Sequence, residues 1–347
     1  MRMKVQPVIL AGGNGYRLWP LSQKTKPKQF IKNLTNLSLF QSTIIRNSYL
    51  GTPLIVANIN NEEIVIKQLK EINVQAKVIF EPEAKNTAIC ALAVSYYAKQ
   101  QGYDTIILIP SDHRIKRGSN YRNSLNMALK AAKKYKVSVI GVPPTSPNIN
   151  FGYIKTKQQI NKNLHLGTKF IEKPNKELAK KLTTLPEYFW NSGIYVFNID
   201  YILKLTNQLL PVISRKLSTI FNSALCTKNI VKLDKKAYIN FPSVSFDNAI
   251  SEKLQKIALI KANFEWNDLG TWESIWNLNK TSSQRSPSKS QGVVVTHNVK
   301  DSYINSDAKK TVAIDLKNIM IVFKNGQLLV ANKNSTEFIK PLVGDNN

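Results

Sequence analysis

Cysteine and histidine are scarce in this 347-residue chain, which contains two cysteines and three histidines. Two cysteines cannot build a framework of several disulfides or a four-cysteine zinc site. The three histidines, His113, His165 and His297, are dispersed, which argues against a histidine-rich metal centre. Because low cysteine use is typical of a reducing compartment, we expect a cytoplasmic protein.

Long apolar runs are also missing. Apolar runs such as Thr105–Pro110 and residues 319–323 are far shorter than the roughly 20 residues that a membrane-spanning helix needs. The apolar run at residues 7–10 is brief and leads directly into glycines, so we expect neither a secretory signal nor a membrane partner. Hydrophobic residues at 43% and charged residues at 20% are typical of a globular protein and exclude wholesale disorder.

Acidic residues are few: 22 Asp and Glu stand against 49 Lys and Arg, a formal net charge of +27. Such an excess is compatible with nucleic acid, an anionic membrane or phosphate-rich substrates as partners. Arginine is rare, however, and the lysines are spread along the chain without a basic block that aromatic residues interrupt. This pattern favours a solvated lysine-rich surface, and we expect no nucleic-acid partner.

Short apolar runs alternate with helical patterns over the first half of the chain. Strands are predicted at Val5–Leu10, 54–56, 78–80, 105–109 and Val137–Val142, and helices at 61–72, 87–101 (capped by Asn86 or Thr87) and 121–135. This alternation predicts a mostly parallel sheet that helices cover on both faces. Because such sheets bind ligands at the carboxyl ends of their strands, the segments after Leu10, Ile109 and Val142 are the candidate sites.

The composition changes near residue 280. Before it, strands are predicted at 193–198 and Ile257–Lys261, and a helix at 272–278. Residues 281–291 are polar and rich in serine, which is typical of a linker. Residues 292–340 then show short β-type segments without a convincing helix, and Asn325-Gly326 predicts a two-residue hairpin turn. We therefore predict an α/β domain over 1–280, a linker over 281–291 and a small β-rich domain over 292–347.

A glycine turn follows the first predicted strand, in residues 10–18 (LAGGNGYRL). Glycines allow backbone N–H groups to approach an anion closely. The turn lacks the Gly-Lys-Ser/Thr ending of a P-loop, and Leu18 stands where a dinucleotide fingerprint needs a third small residue. Arg17 and Lys28 add two cations downstream, and together with backbone amides they form a set that suits a triphosphate.

Residues 10–22 (LAGGNGYRLWPLS) and 27–30 (PKQF) resemble the opening signature of the sugar-1-phosphate nucleotidylyltransferases, in particular the mannose-1-phosphate guanylyltransferase branch of that family. Blocks similar to the rest of the family pattern follow in order: Glu81-Pro82 with Asn86-Thr87-Ala88, Pro110-Ser111-Asp112-His113, 141–144 with 151–154, 170–174, 190–193, 245–249 with Glu252-Lys253, and 266–272. Eight ordered blocks are a more specific signal than any one of them.

The resemblance covers residues 7–276 and implies both fold and reaction. The implied fold is α/β, Rossmann-like and of the nucleotide-diphospho-sugar transferase type: a mixed, mainly parallel sheet flanked by helices, plus a small C-terminal β domain. The implied reaction transfers GMP from GTP to α-D-mannose 1-phosphate, giving GDP-mannose and diphosphate, with Mg²⁺ as the cofactor. GTP and mannose 1-phosphate are then the partners, and a homodimer is left open. Some members append an isomerase domain, which we expect 347 residues to lack.

The resemblance also assigns roles to individual residues. It implies catalytic roles for Arg17, Lys28, Asp112 and Asp268, of which Asp112 and Asp268 would hold Mg²⁺. The residues implied to contact the nucleotide are Leu10, Ala11, Gly12, Gly13, Gly15, Asn86 and Pro110. Those implied to bind the sugar phosphate are Gly152, Tyr153, Glu172, Lys173 and Asn191.

Each carboxylate also has a simpler interpretation. Asp112 could cap a turn, although its place after a predicted strand favours a metal ligand. Asp268 precedes a predicted helix and could be its N-cap as well as a ligand. Glu172 and Lys173 could form an exposed ion pair of little energetic value. Asp247 precedes a helical stretch, and we interpret it as an N-cap.

Two alternative functions stay open at this point. The chain could use another sugar 1-phosphate or another nucleotide, or it could be an inactive homologue that acts as a binding or regulatory subunit. Tyr16 stands where the family usually has serine or threonine, and Phe151 where it usually has tyrosine. These departures affect the expected substrate specificity more than the expected reaction.

Overall fold

The computed structural model describes residues 3–13, 18–23, 25–32, 36–116, 118–254, 256–279 and 292–344. The strands there are β1 (Val5–Leu10), β2 (Leu54–Asn58), β3 (Lys77–Glu81), β4 (Thr105–Pro110), β5 (Arg114–Ile115), β6 (Val137–Val142), β7 (Tyr153–Asn161), β8 (Leu164–Ile171), β9 (Tyr188–Asn198), β10 (Leu225–Cys226), β11 (Ile230–Lys232), β12 (Ile257–Lys261), β13 (Trp266–Asn267), β14 (Val293–His297), β15 (Tyr303–Ser306), β16 (Lys310–Ile314), β17 (Ile319–Lys324) and β18 (Gln327–Asn332).

The α-helices of the described residues are α1 (Leu39–Asn47), α2 (Glu62–Glu71), α3 (Asn86–Gln100), α4 (Ser119–Tyr135), α5 (Lys176–Thr183), α6 (Ile199–Leu209), α7 (Pro211–Lys216), α8 (Thr219–Asn222), α9 (Lys235–Ile239), α10 (Phe246–Ala249), α11 (Trp272–Asn279) and α12 (Ile339–Gly344). Short 3₁₀ helices lie at Lys28–Phe30, Ser48–Leu50, Ile59–Asn61, Ser251–Lys253 and Lys333–Phe338. No helix among the described residues combines the length and the hydropathy that crossing a bilayer requires.

The chain folds into two units. The first comprises Met1–Gly12, Ser42–Ser111 and Ile115–Trp266, and the second comprises Gly13–Gln41, Asp112–Arg114 and Asn267–Asn347. The second unit thus groups residues 13–41 and 112–114 with residues 267–347. The predicted linker at 281–291 lies outside the described residues, so the division at 280 and 292 stays a prediction.

An eleven-stranded sheet forms the centre of the first unit, in the order β10-β11-β3-β2-β1-β4-β9-β6-β12-β8-β7. Five consecutive strands of this order, β11, β3, β2, β1 and β4, are parallel to one another, and β12 is parallel to β6. Strands β8, β9 and β10 run against their neighbours, so the other eight share one direction. The predicted mixed, mainly parallel sheet is therefore confirmed.

Apolar side chains on alternate strand positions divide between two hydrophobic cores, because successive residues of a strand face opposite sides of the sheet. On β4, Ile106 and Leu108 belong to one core, while Ile107 and Ile109 belong to the other. Helices α3 and α6 contribute to the first core, and α4 and α5 to the second. The predicted covering of both faces by helices is thus confirmed, and full burial of each such aliphatic side chain contributes about 2 kcal/mol.

The carboxyl ends of the parallel strands meet at one edge of the sheet. After β1, Ala11 donates its N–H to the Val56 carbonyl at 2.7 Å, and Ser111, after β4, donates to the Leu10 carbonyl at 3.0 Å. Because β9 is antiparallel, its beginning lies at this same edge, where Asn191 stands opposite Gly141 of β6. The residues directly after β1 and β4 and the start of β9 therefore lie at this edge.

The second unit has its own hydrophobic core, formed by the described residues around Trp272 and Trp276 of α11. Strands β14 and β16 are parallel, as are β15 and β17, and β18 returns antiparallel to β17. At the β17–β18 turn, Asn325 and Gly326 have φ values of 52° and 74°, which confirms the predicted two-residue hairpin. The prediction of no helix before residue 340 is wrong, because Lys333–Phe338 and α12 are helical and Ile339 packs into this core.

A buried carboxylic acid in the first unit makes stability depend on pH. Glu81, at the end of β3, accepts a hydrogen bond from the Tyr238 hydroxyl and is buried. Burial raises the pKa of Glu81 from 4.5 to about 7, although the Tyr238 hydrogen bond acts in the opposite direction. A raised pKa means that the folded state holds this proton more tightly. The resulting stabilisation is therefore complete below the unfolded pKa and is lost as the pH rises through 7.

Glu81→Gln is expected to remove this dependence, because a glutamine keeps an acceptor for Tyr238 and does not ionise. Relative to the parent, the variant should gain up to about 3 kcal/mol of unfolding free energy between pH 5 and pH 8. Urea unfolding at several pH values measures the difference. Glu83→Gln, which removes the same charge from a more exposed position two residues away, is the matched control. A difference between parent and Glu81→Gln that does not vary with pH would contradict the raised pKa.

Candidate active site

Three predicted catalytic residues of the second unit lie close together: Lys28, Asp112 and Asp268. Lys28 begins the 3₁₀ helix Lys28–Phe30 directly after a proline, and its Nζ lies 2.9 Å from Asp112 Oδ2. The same Nζ donates a hydrogen bond to the Asp268 carbonyl oxygen at 2.9 Å. A side chain at Gly270 would overlap the Asp268 carboxylate, so a glycine there leaves space for that group. One ammonium therefore links two acidic residues that are 156 positions apart in the chain.

The charge on Asp112 is stabilised by its neighbours. Burial alone would raise the pKa of Asp112, but the Lys28 ammonium and, to a lesser degree, His113 outweigh burial and lower it to about 2. His113 Nε2 lies 3.6 Å from Asp112 Oδ1. Asp112 is therefore a carboxylate at any physiological pH and is available as an anionic ligand.

The two acidic residues suit a divalent cation only in part. Among the described residues, no group of three or more His, Cys, Asp or Glu side chains converges as a complete metal site. Mg²⁺ is usually bound by one or two carboxylates together with substrate phosphates, rather than by a full set of protein ligands. Asp112 and Asp268 match that donor set, and a bound phosphate would have to supply the remaining oxygens.

Asp268 and Asp247 are not helix caps, contrary to one interpretation of the sequence. At the start of α11, Thr271 Oγ1 accepts a hydrogen bond from the Ser274 N–H at 3.2 Å, which leaves Asp268 outside the cap. At α10, Ser245 is the N-cap, and its hydroxyl accepts from the Asn248 N–H at 3.1 Å. At α11 a hydroxyl residue nearer the helix takes the capping position, whereas at α10 Asp247 lies inside the helix and the hydroxyl residue before the helix caps it.

The predicted nucleotide-binding residues Leu10, Ala11, Gly12 and Pro110 lie at the carboxyl edge of β1 and β4. Leu10 stands opposite Pro110 in the sheet register. The Ala11 N–H is taken by a backbone carbonyl, so a nucleotide contact would have to use its other atoms. Gly13, in the second unit, has a φ of 91°, which favours glycine. The predicted residues Gly15 and Arg17, like Tyr16, lie outside the described residues.

Asn86 stands at the start of α3 with a φ of 60°, after the loop that follows β3. Its side chain donates to the Ser243 hydroxyl at 3.2 Å and is exposed. Neither Asn86 nor Thr87 caps α3, because the N-cap residue is Lys85 and Thr87 Oγ1 accepts from the Phe246 N–H. The predicted cap is therefore wrong, and the nucleotide contact of Asn86 stays a prediction.

Three predicted sugar-phosphate residues of the first unit are adjacent: Gly152, Glu172 and Asn191. The Asn191 N–H donates to the Gly152 carbonyl at 2.8 Å, and a Cβ at Gly152 would lie 2.8 Å from Glu172 Oε2. Lys173 Nζ lies 2.6 Å from Glu172 Oε1, so the ion pair suggested by the sequence is present. The Lys173 side chain is 54% exposed, which leaves its ammonium accessible to a phosphate.

Tyr153 contributes differently from its neighbours. Its side chain is fully buried, and its hydroxyl donates to the Asn148 carbonyl at 3.1 Å and accepts from the Asn148 N–H at 3.0 Å. Phe151, one of the departures from the family pattern, packs edge-on against Trp190 and Trp266. The Tyr153 hydroxyl therefore holds the loop between β6 and β7 in place through Asn148. A sugar contact at Tyr153 would use its backbone.

Sequence reasoning missed Asp247. Its Oδ1 accepts hydrogen bonds from Asn191 Nδ2 at 2.9 Å and from the Tyr195 hydroxyl at 2.7 Å. Burial raises the pKa of Asp247 to about 6, whereas the Tyr195 hydrogen bond lowers it. The only available signal was its position inside one of the family-like blocks, and the helix start beside it suggested a cap instead.

Gly152→Ala is expected to weaken sugar-phosphate binding. The added methyl would lie 2.6 Å from Phe170 Cζ and 2.8 Å from Glu172 Oε2, so that carboxylate would have to move. The KM for the sugar phosphate should rise about tenfold, while the KM for the nucleotide stays constant, if one hydrogen bond to a charged group is lost. Gly102→Ala, at an exposed glycine with φ 80° and no atom near a new Cβ, is a control for backbone strain. An unchanged KM for the sugar phosphate would show that the position of the Glu172 carboxylate does not depend on the glycine at residue 152.

Comparisons with known proteins identify the family of this chain. The model of the nucleotidyl transferase family matches residues 6–285. A mannose-1-phosphate guanylyltransferase of Escherichia coli is 33% identical over 97% of this chain and 74% of that protein, and one of Salmonella montevideo is 32% identical over 98% and 73%. A solved structure from Thermus thermophilus, described as a mannose-1-phosphate geranyltransferase, has a TM-score of 0.86 and covers 99% of both chains at 23% identity, which shows the fold.

The matched region contains the eleven-stranded sheet except for Val5, the first residue of β1, and it contains every predicted site residue. The Escherichia coli relative is also more than 30% identical to this chain over nearly the full length of this chain. This chain therefore belongs to the nucleotidyl transferase family and is a nucleotidyltransferase enzyme.

Proposed function

We propose that this enzyme transfers a GMP moiety from GTP to α-D-mannose 1-phosphate, giving GDP-mannose and diphosphate. The observation that carries the proposal is the Lys28 ammonium, which lies 2.9 Å from both Asp112 Oδ2 and the Asp268 carbonyl oxygen. A lysine ammonium has three hydrogens to donate, and the residues that the structure describes engage two of them. The third is available to a phosphate oxygen.

The reaction needs alignment and charge neutralisation rather than a covalent enzyme intermediate. An oxygen of the sugar phosphate attacks the α-phosphorus of GTP. The bond from that phosphorus to the oxygen bridging to the β-phosphate breaks, and diphosphate leaves with the electron pair. Lys28 stabilises the charge that develops at the α-phosphate, and Arg17 holds the leaving phosphates. Each cation lowers the repulsion between two anionic substrates.

The cofactor in this proposal is Mg²⁺, held by Asp112 and Asp268 together with phosphate oxygens. When bound, it would supply Lewis-acid neutralisation of the phosphates. The low pKa of Asp112 keeps its carboxylate ionised for this purpose, and Gly270 keeps space for the carboxylate of Asp268.

The remaining residues bind the two substrates. Glu172 and Asn191 hold sugar hydroxyls, since a carboxylate accepts from a hydroxyl and an amide can both donate and accept. The accessible Lys173 ammonium pairs with the sugar phosphate. Backbone groups of residues 10–13 and 110, with the Asn86 side chain, contact the nucleotide.

Diphosphate release by the purified protein tests the proposal. Mannose 1-phosphate and Mg²⁺ are supplied with GTP, ATP, UTP or dTTP in parallel, and glucose 1-phosphate replaces mannose 1-phosphate in a second series. Release with GTP and mannose 1-phosphate, and none when the sugar phosphate is omitted, is the expected result. Release with another pair of substrates would assign a different nucleotidyltransferase. No release by folded protein across both series would indicate an inactive homologue.

We also propose a cytoplasmic location, because the cytoplasm supplies GTP and both cysteines, Cys90 and Cys226, are free thiols. A homodimer remains open, and sedimentation equilibrium of the full chain distinguishes a monomer from a dimer.

A further inference from the structure

Asp247 has one carboxylate oxygen in use and one without a protein partner. Asn191 Nδ2 and the Tyr195 hydroxyl both donate to Oδ1, at 2.9 and 2.7 Å. Among the described residues, no hydrogen bond or ion pair involves Oδ2, and the residue is only partly buried. A carboxylate has about four acceptor positions, so this oxygen is an open acceptor inside an otherwise buried network.

The Asn191 amide is held in one orientation beside this oxygen. Its Oδ1 accepts from the Gly193 N–H at 2.9 Å, while its Nδ2 donates to Asp247. The Asn191 side chain also forms a hydrogen bond with the Tyr195 hydroxyl. Among the described residues, its Oδ1 keeps a second lone pair. Two acceptor positions, one on Asn191 Oδ1 and one on Asp247 Oδ2, therefore lie on neighbouring side chains.

Such a pair of acceptors suits a ligand that carries several hydroxyl groups, because each hydroxyl donates one hydrogen bond. The charge of the Glu172 carboxylate raises the pKa of Asp247, and the charge of the Lys173 ammonium lowers it. Two carboxylates beside one lysine match a ligand with several hydroxyls and one phosphate, because each hydroxyl needs an acceptor and the phosphate needs a cation.

We propose that Asp247 is a further substrate-binding residue: its Oδ2 accepts a hydrogen bond from a sugar hydroxyl of the sugar 1-phosphate that Asn191 also contacts. This inference rests on the proposed function, since it assumes a sugar phosphate at Glu172 and Asn191. It adds a second carboxylate to the sugar-binding residues.

Asp247→Asn tests the contact with little change of shape. The amide oxygen of the new side chain can replace Oδ1 and keep the hydrogen bonds from Asn191 and Tyr195. Its NH₂ group then stands in place of Oδ2 and cannot accept. The KM for mannose 1-phosphate is expected to rise about 10- to 100-fold, as for the loss of a hydrogen bond to a charged group, while the KM for GTP stays within about twofold.

Ser251→Ala is the matched control. The Ser251 hydroxyl donates to the Tyr195 hydroxyl at 3.0 Å, so this variant disturbs the same buried network without touching Asp247. It is expected to change thermal stability and to leave the KM for the sugar phosphate unchanged. An equal rise of that KM in Ser251→Ala and Asp247→Asn would overturn the proposal in favour of a structural role.

Monodeoxy analogues separate direct contact from positioning. Binding of 2-, 3-, 4- and 6-deoxymannose 1-phosphate is measured for the parent and for Asp247→Asn. The analogue that lacks the contacted hydroxyl should bind both proteins equally, whereas the other analogues should bind the variant more weakly. Uniform weakening of all analogues would mean that Asp247 acts only through Asn191, and would overturn the direct contact.

Failure of the proposed function gives a different result. If the parent protein turns over another sugar 1-phosphate instead of mannose 1-phosphate, the proposed function is wrong. The Asp247 comparison is then decided with the deoxy analogues of that sugar. If the parent binds none of the mannose, glucose, galactose, fucose and N-acetylglucosamine 1-phosphates, both proposals are overturned.

Discussion

Lys28→Ala is expected to lower kcat about 100- to 1,000-fold, with much smaller changes in the KM for either substrate. The reason is that the Lys28 ammonium is already positioned by Asp112 and by the Asp268 carbonyl, so it needs no reorganisation when charge develops at the α-phosphate. Preorganised charge of this kind acts mainly on the transition state. Steady-state kinetics with each substrate varied in turn measure the effect.

The matched control for this variant is Lys26→Ala, which removes an exposed lysine two positions away. It should leave kcat and both KM values unchanged. Lys28→Arg should restore only part of the activity, because a planar guanidinium cannot place a point charge in the position of the ammonium. A Lys28→Ala variant that changes KM and not kcat would assign the lysine to ground-state binding and contradict the proposed catalytic role.

Asp112→Asn is expected to reduce turnover at least about 1,000-fold, because removal of this carboxylate affects both metal binding and the position of Lys28. The asparagine keeps the size of the side chain but lacks the charge that pairs with Lys28. Two readouts are needed: kcat at saturating Mg²⁺, and the affinity of the protein for Mn²⁺ in the presence of GTP.

Asp200→Asn is a control for the loss of one carboxylate, since Asp200 is 70% exposed and pairs with Lys99 on the surface. It should behave as the parent protein in both readouts. A folded Asp112→Asn variant with parental kcat would contradict the metal-ligand assignment. Loss of turnover with unchanged Mn²⁺ affinity would instead place Asp112 in the positioning of Lys28 alone.

The parallel part of the sheet was predictable because its strands have strong local signals. Val5–Leu10 and Thr105–Pro110 are mostly apolar runs that end before a glycine turn or at a proline, and nine of their twelve residues are buried. Strand β9 was harder, because only residues 193–198 showed a strand pattern and nothing local indicates an antiparallel direction. That direction depends on pairing with β4 and β6, which are distant in the sequence.

The candidate site shows the same division between local and distant information. Lys28, Asp112 and Asp268 were found because their blocks resemble a family, and the structure adds that one ammonium joins them. Asp247 was misinterpreted because a carboxylate beside a helix start resembles a cap. Its actual partner, Asn191, is 56 residues away, and no local pattern predicts that pairing.

The C-terminal strands illustrate the limit of turn signals. Asn325-Gly326 specifies a hairpin by itself, since both residues need positive φ and both have it. The helix α12 has no such local signal in six residues, and it forms where Ile339 is buried in the core of the second unit. Short helices of this kind are stabilised mainly by tertiary packing, which a sequence pattern does not show.

The most direct test of GMP transfer is a ³¹P NMR time course of the purified protein with GTP, mannose 1-phosphate and Mg²⁺. The expected result is a one-to-one loss of the GTP and mannose 1-phosphate signals, with equal growth of GDP-mannose and diphosphate. Hydrolysis of GTP without consumption of mannose 1-phosphate, or no change in any signal with folded protein, would contradict the proposed reaction.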